Sequence, residues 1–269
     1  MQKNKSFSLV ELLTVIAIVV ILLSLLLTSL SLSKQLSRRV KCISNHKQLI
    51  LTWQMYADDN LERLANNGYI PGGGNENIKM WVQGYLNHAS FLKDSFDEEL
   101  LINPKFAQFG NYIKEKKIYK CPSDNKTFNH DNKTFEKIRS YSMNCYMGWE
   151  SSIGGGPNPK SVFYKQQDIK DPSNKLVFID VNPESICWPF FGIETPIWPI
   201  EGLRYNDFFQ MFPSSLHSRN ANIAFSDGHV ESHRWKDSRT IKPENVFWHY
   251  HRHESKGNID LVWLRERAK

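Results

Sequence analysis

Between Leu12 and Leu32 the chain runs for 21 residues without a charged side chain. As an α-helix that stretch is about 31 Å long at 1.5 Å per residue, and the hydrocarbon core of a bilayer is about 30 Å thick. The run is longer than the apolar region of a secretory signal peptide, and Ser29 to Ser33 offers no small-residue cleavage site of the A-x-A kind. A membrane span is the expectation. A plain anchor leaves Glu11 unexplained, because an ionisable group costs roughly 2.5 to 3.5 kcal/mol near mid-bilayer and points to a functional site with a partner.

The residues around Glu11 carry a resemblance. Ser6-Phe7-Ser8-Leu9-Val10-Glu11-Leu12-Leu13, followed by Val15 to Val19, resembles the processing site of type IV pilins and type II secretion pseudopilins. The resemblance implies that a prepilin peptidase cuts between Ser6 and Phe7 and methylates the new amine of Phe7. Glu11 then becomes the fifth mature residue, and its carboxylate meets the terminal amine of a neighbouring subunit during assembly. A buried charge is tolerable when paired and severe when its partner is removed. The family usually carries Gly before the cut; here the residue is Ser6. The family also places the N-terminus in the cytoplasm, although Lys34, Arg38, Arg39 and Lys41 after the span outnumber Lys3 and Lys5 before it, which on charge alone would favour the reverse.

Beyond Leu32 the helical pattern continues on a different face. Leu36, Val40, Ile43, Ile50, Trp53 and Ala57 recur at three- and four-residue steps, with Lys34, Arg38, Arg39, Lys41, Asn45 and Lys47 on the rest. One helix ending near Asp58-Asp59-Asn60 is expected. The division is a leader over 1–6, a helix over 7–59 (membrane half 7–32, amphipathic half 33–59) and a globular domain over 60–269. The net charge is +6, but the cations are interspersed with acids and form no dense basic run, so nucleic acid is not an expected partner.

Two further stretches resemble one large pseudopilin-like family: Cys42 to Leu49 with Met55 to Asn60, and Ile118 to Asp124, which contains Cys-Pro-Ser-Asp. A third is His217, nine residues, then Asp227-Gly228, which resembles that family's H-X9-DG region. Locally, Asn222 to Phe225 and Val230 to Trp235 read as strands joined by a tight turn, because Asp-Gly supplies the positive φ that a short hairpin needs. With no nucleophile or metal motif beside them, His217 and Asp227 are expected to hold this hairpin and its preceding loop by hydrogen bonding rather than to catalyse.

Elsewhere, Leu176 to Asp180 is the best strand, Ser140 to Asn144 an extended segment, and Met80 to Leu86 a short strand or helix. Ser90 to Tyr112 has helix-like spacing broken by Pro104. The stretch from Pro183 to Pro213, with Trp188, Phe190, Phe191, Trp198, Phe208 and Phe209, reads as an irregular aromatic insertion. Asp124-Asn125-Lys126-Thr127-Phe128 recurs at Asp131 to Phe135, too short to mean a repeat architecture.

The four cysteines, Cys42, Cys121, Cys145 and Cys187, contain no C-x-x-C pair, so a zinc ribbon is not expected. On an oxidising side they admit three disulfide connectivities; Cys42 with Cys121 is the preferred one, and buried free thiols are the alternative. Asp124 and Asp131, with their neighbouring asparagines, are hard-oxygen groups that calcium accepts, without EF-hand spacing. His249, His251 and His253 would share one strand face and could take zinc or copper, but a solvated edge strand is the plainer account. No cofactor is otherwise called for.

The fold class expected is α+β: a long N-terminal helix packed on a small antiparallel sheet with irregular insertions. The expected function is that of a structural prepilin or pseudopilin subunit, not an enzyme. It would sit as a single-pass protein in a bacterial inner membrane, its domain extracytoplasmic, with a prepilin peptidase and other pilin or pseudopilin subunits as partners in a type IV pilus or type II secretion pseudopilus. Two alternatives stand beside it: a surface binding module for carbohydrate or protein that uses the tail as an address, and an anchored enzyme using His217 and Asp227.

Overall fold

A computed structural model describes residues 9–68, 74–87, 89–150, 156–193, 208–244, 246 and 253–269. Helix α1 runs unbroken from Leu9 to Asp59. Its apolar side chains up to Leu32, and Leu36 and Val40 after them, are exposed. No part of its most apolar window is buried by the rest of the chain.

Burial begins at Cys42. From there Cys42, Asn45, His46, Leu49, Ile50, Trp53 and Ala57 form one inward stripe at helical spacing. The domain-facing stripe is therefore shorter than the periodicity suggested and includes Asn45, read from sequence as part of the polar face. Asn45 is buried because its amide donates to the carbonyls of Lys117 and Lys120, at 3.3 and 3.0 Å. The helix stops without Gly or Pro: the Asn60 amide donates back to the Tyr56 carbonyl at 2.7 Å, and Leu61 and Glu62 turn left-handed.

After the short helix α2 (Glu99–Ile102) come strands β1 (Thr127–His130), β2 (Lys133–Glu136), β3 (Tyr141–Asn144), β4 (Leu176–Asp180), β5 (Phe190–Phe191), β6 (Phe208–Phe209), β7 (Asn220–Phe225) and β8 (Val230–Arg234). Helix α3 (Ser238–Ile241), strand β9 (His253–Glu254) and helix α4 (Ile259–Ala268) follow. The central sheet has the order β5-β3-β4-β7-β8, antiparallel except for the parallel pairing of β3 with β5. Helix α1 packs on β4, β7 and β8. This is an α+β arrangement, as expected for a pilin-like fold.

Every residue of β4 and β7 is buried. Alternation places Phe178 and Asp180 on one face of β4: Phe178 meets Trp81 and Phe109, at ring separations of 5.1 and 6.2 Å, and Asp180 meets α1. Met80 to Leu86 is neither strand nor helix, yet Met80, Trp81, Val82, Tyr85 and Leu86 are all core residues. Around Pro104 the chain forms only α2 and short 3-10 turns.

The short direct repeat is a hairpin. Phe128 of the first copy sits opposite Phe135 of the second, and both rings stack on Phe96, at 5.9 and 4.4 Å. The turn between them is made by Asp131 and Asn132, both left-handed.

Candidate functional site

Two regions of the chain bear on function. The first is the start of α1. Glu11 lies in the first turn of the helix, where a carboxylate interacts favourably with the helix dipole. It is followed by the exposed apolar stretch. Ser6 and Phe7 lie outside the described residues.

The second region lies where α1 crosses the sheet. Cys42 and His46, one turn apart, both point at the end of β4, because residues four apart share a helix face. The His46 Nε2 is 2.8 Å from Asp180 Oδ1, and the Cys42 Sγ is 3.2 Å from the same oxygen. The Asn222 N–H of β7 donates to Asp180 Oδ2 at 2.9 Å. His217, just before β7, brings its Nε2 to 3.6 Å from Asp180 Oδ2 and 3.3 Å from the Cys121 Sγ. The Tyr141 hydroxyl of β3 lies 3.3 Å from the Cys42 sulfur. None of Cys42, His46, Cys121, Tyr141, Asp180 or His217 is more than 4% exposed.

Electrostatics inside this cluster are strongly coupled. Burial works to raise the Asp180 pKa, but the His46 and His217 imidazoles and the Asn222 N–H outweigh it and hold the carboxyl below its ordinary range. With Asp180 ionised, the His46 Nε2 is the donor. The Cys121 thiol is lowered to about 6, first by its hydrogen bond with Cys42 and, against burial, by its hydrogen bond with His217. Cys42 is pushed up, chiefly by burial. Burial disfavours a charged His217, yet its contacts with Cys121 and Asp180 carry its pKa above the usual histidine value.

The sequence singled out His217 and Asp227 as a pair, and the structure parts them. Asp227 accepts from the backbone N–H and Nδ1 of His229, at 3.0 and 2.6 Å, and so holds its own turn. His217 belongs to the buried cluster. Gly228 does take a positive φ, +92°, and the turn is tied to α1 by Lys47 Nζ on the Gly228 carbonyl (2.7 Å) and Gln54 Nε2 on the Ser226 carbonyl (3.1 Å). Cys42 and Cys121 are brought together as the preferred pairing required, but as free thiols, like Cys145 and Cys187.

The calcium candidates are not assembled into a site. Asp124 accepts from Ser140 and the Lys126 N–H, at 2.7 and 3.1 Å, and is ion-paired with Lys120 at 3.1 Å, while Asp131 sits on the exposed β1–β2 turn. His249 and His251 lie outside the described residues; His253 is buried with its ring 4.7 Å from that of Phe212. Sequence reasoning missed His46 and Asp180. The spacing of His46 from Cys42 was visible, but nothing in the sequence says that β4 ends against that turn.

Comparison with protein-family models matches residues 1–27 to the prokaryotic N-terminal methylation motif. Searches of curated proteins and of solved structures found no match. Over those residues the chain is similar to the N-terminal methylation segment of pilin-type precursors, and the helix that follows is long and apolar enough to cross a membrane.

Proposed function

We propose that this pilin-like chain is a structural subunit of a type IV pilus or type II secretion pseudopilus, held in the inner membrane with its domain on the extracytoplasmic side until it is assembled. The observation that carries the reading is the methylation motif over residues 1–27 on a helix whose first half is bare and whose second half is built into the domain. A bare apolar helix has two homes, lipid before assembly and the helices of neighbouring subunits after it. Glu11 is then the group that reads a neighbour's new terminal amine. Most of the described aromatics of the 183–213 stretch favour this reading over an exposed binding face: Trp188, Phe190, Phe191 and Phe209 are buried and Phe208 is half-buried, while Trp198 lies outside the described residues.

The test is Glu11→Ala in the native cell. The variant should still reach the membrane and be processed, but disappear from the sheared or co-purified filament fraction. Assembly of Glu11→Ala at the wild-type level would refute the reading.

A further inference from the structure

Three stretches far apart in sequence each deliver one metal-binding atom to the same buried point: Cys42 on α1, Cys121 in the Cys-Pro-Ser-Asp turn, and His217 before Asp227-Gly228. We propose that they form a structural zinc site, with Cys42 Sγ, Cys121 Sγ and His217 Nε2 as ligands and Asp180 Oδ2 as the fourth.

The three Cys and His atoms lie within 4.8 Å of one another. Cys121 Sγ to His217 Nε2 is 3.3 Å, His217 Nε2 to Asp180 Oδ2 is 3.6 Å, and Cys42 Sγ to Asp180 Oδ2 is 3.6 Å. A tetrahedral zinc with Zn–S of about 2.3 Å and Zn–N or Zn–O of about 2.1 Å needs ligand-to-ligand edges of about 3.4 to 3.8 Å. These three edges stand close to that figure. Two thiolates with an imidazole select zinc over calcium or magnesium.

The surroundings are those of a metal's outer shell. The Ser123 N–H donates to the Cys121 sulfur at 3.4 Å, and the Tyr141 hydroxyl lies against the Cys42 sulfur. His46 fixes Asp180 through Oδ1 and the Asn222 N–H fixes it through Oδ2, as outer-shell donors orient ligating carboxylates. Cys42, His46 and Asp180 also form a possible ligand group. It shares Cys42 with the first, so the cluster holds one ion, and His46 serves as a positioning residue. A site buried on all sides is structural rather than catalytic. Binding exchanges the two thiol protons, released to solvent, for one Zn²⁺, with no change of oxidation state. The effect would be to rivet α1 to β4, the Cys121 turn and the loop before β7. A Cys42–Cys121 disulfide could tie α1 to the turn, but it would have no use for an imidazole and a carboxylate at the same point.

The test uses the full chain, extracted in detergent without chelator and with alkylating agent present. Elemental analysis should find about one zinc per chain, retained through gel filtration. Cys121→Ser and His217→Ala should lose it, and Cys187→Ala should keep it. His46→Gln should weaken zinc on the order of 10- to 100-fold. Should the ligand variants fail to fold, Co²⁺ exchanged into the wild-type protein decides the matter, through a thiolate-to-cobalt absorption band and the intense visible bands of a tetrahedral centre. A metal-free wild type with Cys42 and Cys121 alkylated, a Cys42–Cys121 disulfide in the extracted protein, or cobalt without thiolate bands would each overturn the proposal.

Discussion

His46 and Asp180 meet at 2.8 Å, both buried, and join the inward face of α1 to the last residue of β4. Breaking a buried pair by removing one partner leaves the other charge or dipole uncompensated, at a cost of about 3 to 5 kcal/mol. Asp180→Ala is expected to reach that range, because it also strips the acceptor from the Asn222 N–H. His46→Ala should cost somewhat less, since Asp180 keeps Asn222 and His217. Thermal melting of the detergent-solubilised chain checks both. A change below about 1 kcal/mol in Asp180→Ala would mean the contact contributes little.

The two halves of the His217…Asp227-Gly228 signature should respond differently to substitution. In the metal-free chain, His217→Ala empties a buried position between Cys121 and Asp180 and should cost roughly 1 to 3 kcal/mol. Asp227→Ala removes hydrogen bonds within a partly exposed turn and should cost only about 0.5 to 1.5 kcal/mol. Gly228→Val should rival His217→Ala, because a β-branched residue is poorly tolerated at positive φ and its Cβ would come within 3.2 Å of the Gln54 amide. Equal losses for His217→Ala and Asp227→Ala would show that they act as one unit after all.

How far the sequence foretold this structure depends on whether an element is recognised by its neighbours in the chain or by partners distant from it. The long helix, strand β4 and the Asp-Gly hairpin declare themselves through period and turn chemistry, and they appear where those signals put them. Met80 to Leu86 has the composition of a strand but pairs only through a single bridge between Met80 and Ala107, so it packs as irregular chain with Trp81 in the core. The repeated Asp-Asn-Lys-Thr-Phe segment hid a hairpin because its turn residues belong to the second copy. In the buried cluster, Cys42, Cys121 and His217 could be singled out, but not their convergence, which depends on where β4 and β7 end. His217 was assigned to the nearer partner in sequence, Asp227, and its actual partners lie 96 and 37 positions away.

The acid limb of stability should carry the signature of His233. Its ring is stacked at 3.6 Å on Trp263, and burial depresses its pKa to about 4 from the ordinary 6.5. The unfolded chain takes up this proton near pH 6.5 and the folded chain resists until about pH 4, so the unfolded state binds more protons across that window. Stability from this group is present above pH 6.5 and lost as the pH falls towards 4. His233→Phe should keep the stack and flatten the profile between pH 4 and 6.5; an unchanged slope would show that His233 protonates freely in the folded state.

The central claim is that the chain begins life as a prepilin, and the mature N-terminus tests it most directly. Mass spectrometry of the protein from native membranes should find a chain that starts at Phe7, with one methyl group on its amine and the 1–6 leader gone. Ser6→Gly, which restores the residue usual before the cut, should be processed at least as completely. An intact Met1 peptide as the predominant form in those membranes would contradict the account and leave α1 as an anchor alone.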